Sequence, residues 1–339
     1  MIKRTFLTAT VAALVASMPV TPVAADAISD FYGSRTVTIV VAAGPGGGHT
    51  KYTQFLAPYL KKHMPGNPNF IVQNMGGAGG TKAANYLYNR AAQDGTAVGI
   101  LLSDTPAASR LRTTGVKYIA NKFHFLGGAD APRGAFVAMK SSGVKTMLDV
   151  RNKQVIMGST GKGSQTFILP TLANKMLGTK FKVITGYRGM GGIYLAVDQK
   201  EVQGFQASWS SVALLRPHWM DKIVVLAANA VDPLPDRPDV PLLMDLVKDP
   251  RDKEIAKLFG GNSIIGRAWM APPGIPAARV AALRAAFKNA LNDPGIVAAA
   301  KKRKMEWNPV PWQRQQAHAK FISEADESLF NRMRSMLKK

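Results

Sequence analysis

Short apolar, β-branched runs alternate along this chain with longer stretches whose apolar residues recur every three or four positions. The runs at 37–41, 70–73, 98–102, 136–139, 155–157, 181–184, 204–207 and 223–226 predict strands. After Thr50, a candidate N-cap, Tyr52, Phe55, Leu56, Tyr59 and Leu60 follow the spacing of one buried helix face. Pro58 falls inside that pattern and is expected to kink or interrupt it. Further helices are predicted at about 165–177, 191–200, 276–292 and 312–337. In the last, Phe321, Leu329, Met333 and Met336 form a stripe that reads as core. Strands alternating with helices predict an α/β fold with mostly parallel sheets and helices on both faces.

The pattern also repeats. VTIVVAAGPGGGHT is a strand, a glycine-rich loop and a helix start, and FIVQNMGGAGGT has the same arrangement. QVIMGSTGKGSQT and FKVITGYRGMGGI return to it in the same order, Gly161 lying 115 positions after Gly46. Two lobes of similar topology, each with two glycine-rich turns, account for this. At 339 residues the chain is long enough for two lobes.

A helix start offers unpaired N–H groups and a partial positive charge, which suits phosphate or carboxylate. Two nucleotide motifs fail, however. Gly161-Lys162 is followed by Gly163, so the P-loop ending in Lys-Ser/Thr is absent. The dinucleotide fingerprint starting at Gly44 would need a glycine where His49 stands. The hydroxyls of Ser159, Thr160, Ser164 and Thr166 either donate to a ligand or cap the helix that follows.

Catalytic chemistry finds little support. The chain has no cysteine, which excludes disulfides, thiolate metal sites and cysteine nucleophiles. Its five histidines (His49, His63, His124, His218 and His318) show no metal-ligand spacing, and no nucleophile elbow occurs. His49 stands at a loop-to-helix junction, where it either pairs with an acid as a cation or donates one N–H as a neutral ring. Asp104 reads as a turn aspartate capping the next segment. Arg188, between a strand and a glycine-rich helix start, either forks a carboxylate or joins a surface ion pair. Trp209 either walls a pocket or lies in the core. No catalytic residue, metal site or cofactor is expected.

The N-terminus, MIKRTFLTATVAALVASMPVTPVAADA, places Lys3 and Arg4 before an apolar core at about 6–15, then small residues. This is the form of a secretory signal peptide cleaved after Ala25 or Ala27. Its core is too short to span a bilayer, and no later segment offers about 18 uninterrupted apolar residues. The expected mature protein is exported and soluble, in the periplasm of a Gram-negative host. The formal charge of +23 falls to +21 without Lys3 and Arg4, or +22 if Asp26 also goes. That charge attracts anionic surfaces and small anionic ligands. Nucleic acid is not an expected partner of an exported protein, and KKRK at 301–304 reads as a solvated helix face.

Taken together, VTIVVAAGPGGG, VQNMGGAGGTKAANYL, DGTAVGILL, GYRG, LPDRPDVPLL, WMAPPGIPAARVAALRAAFKNALNDP and the terminal amphipathic helix lie in an informative order. The chain resembles, from about residue 36 to 337, the tripartite tricarboxylate transporter receptors, the TctC/Bug family of extracytoplasmic solute-binding proteins. The resemblance implies a two-lobed Venus-flytrap fold of the type II periplasmic binding protein class. It implies a monomer that holds a small organic-acid anion in the interlobe cleft and delivers it to a membrane permease of one large and one small subunit. The expected lobes are 28–130 with 232–339, and 131–231. Cleft residues carried over by position are Gly46, Gly47, Gly48, His49, Gly80 and Thr81 from the first lobe. From the second come Ser159, Thr160, Ser164, Gln165, Arg188 and Ser208.

The chain departs from the family pattern at three places. His49-Thr50 replaces the usual hydroxyl–acid pair, Met75 stands in for a basic-proline pair, and Ser208-Trp209 displaces an aspartate common at the end of a second-lobe strand. Loss of an acid from the cleft favours a dicarboxylate or aromatic acid over an amino acid. A sensor component feeding a membrane kinase is the alternative role, and an enzyme acting on an organic acid is a third.

Overall fold

The computed structural model describes residues 22–112 and 114–338. The signal-peptide segment up to residue 21 lies outside the described residues, and both candidate cleavage positions fall within the first helix, Pro22–Gly33 (α1). The strands are Thr36–Val41 (β1), Asn69–Asn74 (β2), Ala97–Ile100 (β3), His124–Gly128 (β4), Gly134–Met139 (β5), Val155–Ser159 (β6), Phe181–Thr185 (β7), Gly204–Ser208 (β8), Ile223–Asn229 (β9) and Ala268–Ala271 (β10). The helices that follow α1 are Gly48–His63 (α2), Thr81–Asn89 (α3), Thr105–Leu111 (α4), Gln165–Leu177 (α5), Met190–Asp198 (α6) and Trp209–Leu215 (α7). The C-terminal part adds Leu243–Leu246 (α8), Pro250–Gly261 (α9), Ala277–Leu291 (α10), Pro294–Lys302 (α11), Trp312–Glu324 (α12) and Glu327–Leu337 (α13).

The strands form two five-stranded sheets of one topology, β2-β1-β3-β10-β4 and β7-β6-β8-β5-β9. In each, three neighbouring strands are parallel and the fourth is antiparallel to both its neighbours, so one strand in five is reversed. The repeated motifs occupy equivalent places: β1 matches β6, and β2 matches β7. The chain passes from the first sheet to the second after β4, and returns between β9 and β10. Helices α9 and α13 pack beside the second sheet, where Ile255, Phe259, Leu329, Phe330 and Met333 join the cluster of Val155, Met157 and Leu169.

β1 carries Val37, Ile39, Val40 and Val41, all without solvent exposure, because helices cover both faces of a parallel strand. All eight predicted strands form. β4 and β10 escape the pattern, since His-Phe-Leu-Gly-Gly is glycine-rich and β10 spans only four residues.

Three local expectations change. α2 begins at Gly48, with Gly47 as N-cap, so Thr50 lies inside the helix. Its Oγ1 donates to the Gly44 carbonyl (3.1 Å) and accepts from Asn74 Nδ2 (2.7 Å), pinning the glycine loop to the end of β2. Pro58 does not interrupt α2. It is exposed and so is Gln54, whose carbonyl loses its helical partner to the proline ring and faces water instead. The 312–337 helix is two helices, because the Asp326 carboxylate accepts from Ser328 N (3.0 Å) and starts α13 afresh. That break takes Phe321 out of the stripe: it is 59% exposed, whereas Leu329 and Met333 are buried.

Candidate functional site

The four glycine-rich loops meet in pairs between the sheets. The loop after β1 faces the loop after β7: a Cβ on Gly44 would collide with the Arg188 carbonyl oxygen, and one on Gly191 would lie 2.9 Å from the Pro45 carbonyl oxygen. The loop after β2 faces the loop after β6: a Cβ on Gly79 would lie 2.6 Å from Ser164 N, and one on Gly161 2.9 Å from Gly79 N. Such distances are below any ordinary Cβ contact, so each seam brings backbone against backbone and requires glycine. Behind the seams lies a cavity of about 140 Å³.

Gly47, Gly48, His49, Gly80, Thr160, Ser164, Gln165 and Ser208 line this cavity, as the carried-over positions require for contact with a ligand. Gly46, Thr81, Ser159 and Arg188 do not. Gly46 is exposed at the rim with φ +82°. Thr81 is buried, its Oγ1 accepting from Arg112 Nη1 (2.7 Å). The Arg188 side chain is exposed, while its carbonyl meets Gly44 in the seam.

The hydroxyls after β6 engage one another. Ser159 Oγ lies 3.0 Å from Thr166 Oγ1, and Thr160 Oγ1 donates to Ser164 Oγ (2.9 Å). No side-chain bond caps α5. The Gln165 amide spans the cavity wall: Nε2 donates to Ser103 Oγ (3.3 Å), and Oε1 accepts from Asn229 Nδ2 (3.4 Å). Trp209 is not in the lining; it is a core residue whose indole donates to Asp236 Oδ1 (2.8 Å).

The largest departure from the sequence reading is Arg267. Nothing in GRAWMAPP marks this residue, yet its side chain is 1% exposed and its guanidinium reaches the cavity. It pairs with the fully buried Asp130, donates through Nη2 to Ser208 Oγ (3.0 Å) and Ser211 Oγ (2.6 Å), and stacks 3.9 Å from the Tyr52 ring centroid. Burial pushes the Asp130 carboxyl up, and the Arg267 cation pulls it back. Burial, with Arg267 close by, pushes His49 down to about 3 against a hydrogen bond to the Leu101 backbone. His49 is therefore a neutral ring at physiological pH, so of its two sequence readings the cation is lost.

Asp104 is the second surprise. It stands at the N-cap position of α4 but makes no cap bond there, and it is 2% exposed against the cavity. Burial pushes its carboxyl up to about 7, and only backbone N–H groups, its own and that of Gln165, oppose the shift. An acid does line the cleft, then, although not at the strand end where the family pattern places one.

Five lining side chains keep a buried polar atom without a hydrogen bond inside the protein: His49 Nε2, Asp104 Oδ2, Tyr194 hydroxyl, Asn229 Oδ1 and Arg267 Nε. Buried polar atoms are nearly always paired, so the wall of this cavity holds an unusual share of unmet hydrogen-bonding capacity. Among the described residues no group of three or more His, Cys, Asp or Glu side chains is placed to hold a metal, and no helix is long and apolar enough to cross a membrane.

No family model and no curated protein matches the chain. Solved structures do. The periplasmic binding protein BugD aligns over 88% of this chain and 98% of its own, at 20% identity and TM-score 0.70. Rpa4515 of R. palustris with adipate aligns over 90% and 97%, at 19% identity and TM-score 0.69. MatC from Rhodopseudomonas palustris with bound malate aligns over 90% and 99%, at 22% identity and TM-score 0.67. The paired sheets, the cleft between them and these alignments over almost the whole chain give one conclusion: the protein has the two-lobed type II fold of the BugD- and TctC-like periplasmic solute-binding proteins.

Proposed function

We propose that this chain is an exported solute-binding receptor of the TctC/Bug family that captures a small organic acid between its lobes. The observation that carries the reading is the cavity between the two sheets, walled by the starts of α2 and α5 and reached by the buried Arg267 guanidinium. Helix starts favour an anion without a metal or a paired cation. The adipate and malate of the structural neighbours are acids of the size such a cavity takes. The working lobes are 28–130 with 232–339, and 131–231, with α9 and α13 lying against the second sheet. Ligand contacts are assigned to Gly47, Gly48, His49, Gly80, Thr160, Ser164, Gln165 and Ser208, joined by Asp104, Tyr194, Asn229 and Arg267. Gly46 and Arg188 serve the seam, and Thr81 and Ser159 support the loops. The loaded receptor hands its acid to a membrane permease of a large and a small subunit. No bond is made or broken in this role.

A thermal-shift panel of mono-, di- and tricarboxylates tests the reading. An acid at about 100 times its Kd stabilises the folded form by about 2.7 kcal/mol. A panel flat across every acid overturns it.

A further inference from the structure

A second concavity lies outside the cleft. Helices α10 and α12 both pack on β4, and beside its first residue they leave an open groove of about 460 Å³. Strand direction places this groove at the far end of the first sheet. The glycine loops follow the C-terminal ends of β1 and β2, whereas β4, parallel to them, begins here with His124. Antiparallel β10 ends here too, Ala271 pairing with His124.

One wall is apolar: Ile275 from the turn after β10, then Ala277, Val280 and Ala281 on one face of α10. Arg284 continues that face one turn on, and His124 and Trp312 complete the lining. The guanidinium is held in place by two contacts. Its Nε donates to the Phe125 carbonyl (3.1 Å), and its plane lies 3.4 Å from the Trp312 ring centroid. The outer edge, Nη1 and Nη2, is thereby fixed as a two-pronged donor.

No group of the protein uses that edge. Among the described residues neither Nη of Arg284, nor Trp312 Nε1, nor either ring nitrogen of His124 makes a hydrogen bond, and none of these atoms is buried. Arginine and indole nitrogens only donate, and a neutral imidazole donates once. The segments that build the groove, 117–128, 268–291 and 310–322, contain no Asp or Glu. Burial alone pushes the Arg284 guanidinium down, and burial with the Arg284 charge pushes His124 down, so no carboxylate offsets either shift. An arginine that only packs helices together uses its outer edge on the protein as well. Arg110 does so, donating to the carbonyls of Ile322, Ser323 and Ala325 and to Glu327.

We propose that this groove is a second binding site, for a single acidic head group on an apolar body, with the head on Arg284, Trp312 Nε1 and His124 and the body along Ile275, Val280 and Ala281. One guanidinium matches one carboxylate or phosphate. A second charge on the guest would be laid against the apolar wall, where it is costly, so the short diacids are excluded. The site is independent of the cleft and stands whether or not the cleft takes an organic acid.

The experiment follows the tryptophan indole N–H signals of the ¹⁵N-labelled protein, with Trp312 assigned through Trp312→Phe. The probes are benzoate, octanoate and octyl phosphate, with octanol, octylamine and succinate as controls, all below micellar concentrations. At least one acid should shift the Trp312 signal saturably and bind about tenfold or more tighter than octanol. Octylamine and succinate should leave that signal in place. Arg284→Lys, which keeps the charge but loses the fork, should weaken the acid about tenfold. Ala281→Glu sets a carboxylate one turn before Arg284 on the exposed helix face and should weaken it at least as much, whereas Ala281→Gln should bind as the wild type does.

Octanol bound as tightly as octanoate, a Trp312 shift with octylamine, or full affinity in Ala281→Glu would each overturn the inference. So would acids that move only the other indole signals, or none. Should Arg284→Lys not fold, the Ala281 pair and the wild-type panel decide. Cosedimentation with phosphatidylglycerol vesicles separates the two sources of such a head group. Sedimentation lost in Ala281→Glu assigns it to a lipid, and octanoate binding without sedimentation assigns it to a free acid.

Discussion

Arg267 and Asp130 form a fully buried ion pair at the two places where the chain passes between its sheets. Asp130 follows β4 and Arg267 precedes β10, and the Ala129 N–H donates to the Arg267 carbonyl (3.3 Å), so the two crossing segments run side by side. The same guanidinium reaches Ser208 at the end of β8 and Ser211 in α7. One side chain thus ties the hinge to the wall of the cleft.

Breaking that pair should cost far more than removing it. Asp130→Ala leaves a buried cation with only the hydroxyls of Ser208, Ser210 and Ser211 and no counter-charge, a loss of about 3–5 kcal/mol in urea unfolding. The double variant Asp130→Leu/Arg267→Met should recover most of that loss, because neither charge is then stranded. A double variant as unstable as Asp130→Ala would show that the serine and Tyr52 contacts, not the charge, hold the hinge.

The glycine seams give a test of closure that leaves the ligand contacts alone. Gly191 and Gly192 are neighbours in the first turn of α6. A Cβ on Gly191 would lie 2.9 Å from the Pro45 carbonyl across the seam, whereas one on Gly192 meets only Tyr187 Cβ at 3.7 Å. Gly191→Ala should lower affinity about tenfold or more and leave a larger radius of gyration in small-angle scattering with ligand present. Gly192→Ala should do neither. Equal behaviour of the two would remove the seam from the closing mechanism.

His49 is not a pH sensor. Its ring is held near 3, below the whole range from pH 5.5 to 8. His49→Ser should weaken binding by removing a cavity-lining ring nitrogen, by roughly 1–3 kcal/mol for a buried hydrogen bond left unmade, and should leave the shape of the pH profile unchanged. A profile that flattens in His49→Ser would return the titration to this residue.

Asp104 should instead make the free protein less stable as pH rises. Its carboxyl ionises near 4 in the unfolded chain and near 7 in the fold. Between those values the native state binds more protons than the unfolded state, so stability falls with rising pH through this window and levels off above it. Asp104→Asn should flatten the decline of Tm between pH 5 and 8. A decline of the same slope in Asp104→Asn would place its origin elsewhere, with Asp130 the next group to examine.

Much of the architecture was legible because local periodicity suffices for it. Eight strands, the α5, α6 and α10 helices and the four glycine-rich loops follow from alternation, helical spacing and the φ freedom of glycine, which act over a few residues. The repetition of β1 and β2 in β6 and β7 even announced two sheets of equal topology. Short β4 and β10 escaped, since their identity rests on partners far along the chain. Of the residues named from the sequence, Gly47, Gly48, His49, Gly80, Thr160, Ser164, Gln165 and Ser208 lie around the cavity, whereas Gly46, Thr81, Ser159 and Arg188 do not. Arg267, Asp104 and Asn229 could not be assigned to it, because burial and convergence across a cleft belong to no local pattern. The order of residues established that this chain folds as strands and helices around glycine-rich turns. Packing alone settled which turns touch each other instead of a ligand, which arginine is buried, and where an acid stands without a cation. Those outcomes depend on desolvation and on distances between segments more than 100 residues apart, such as Asp130 and Arg267.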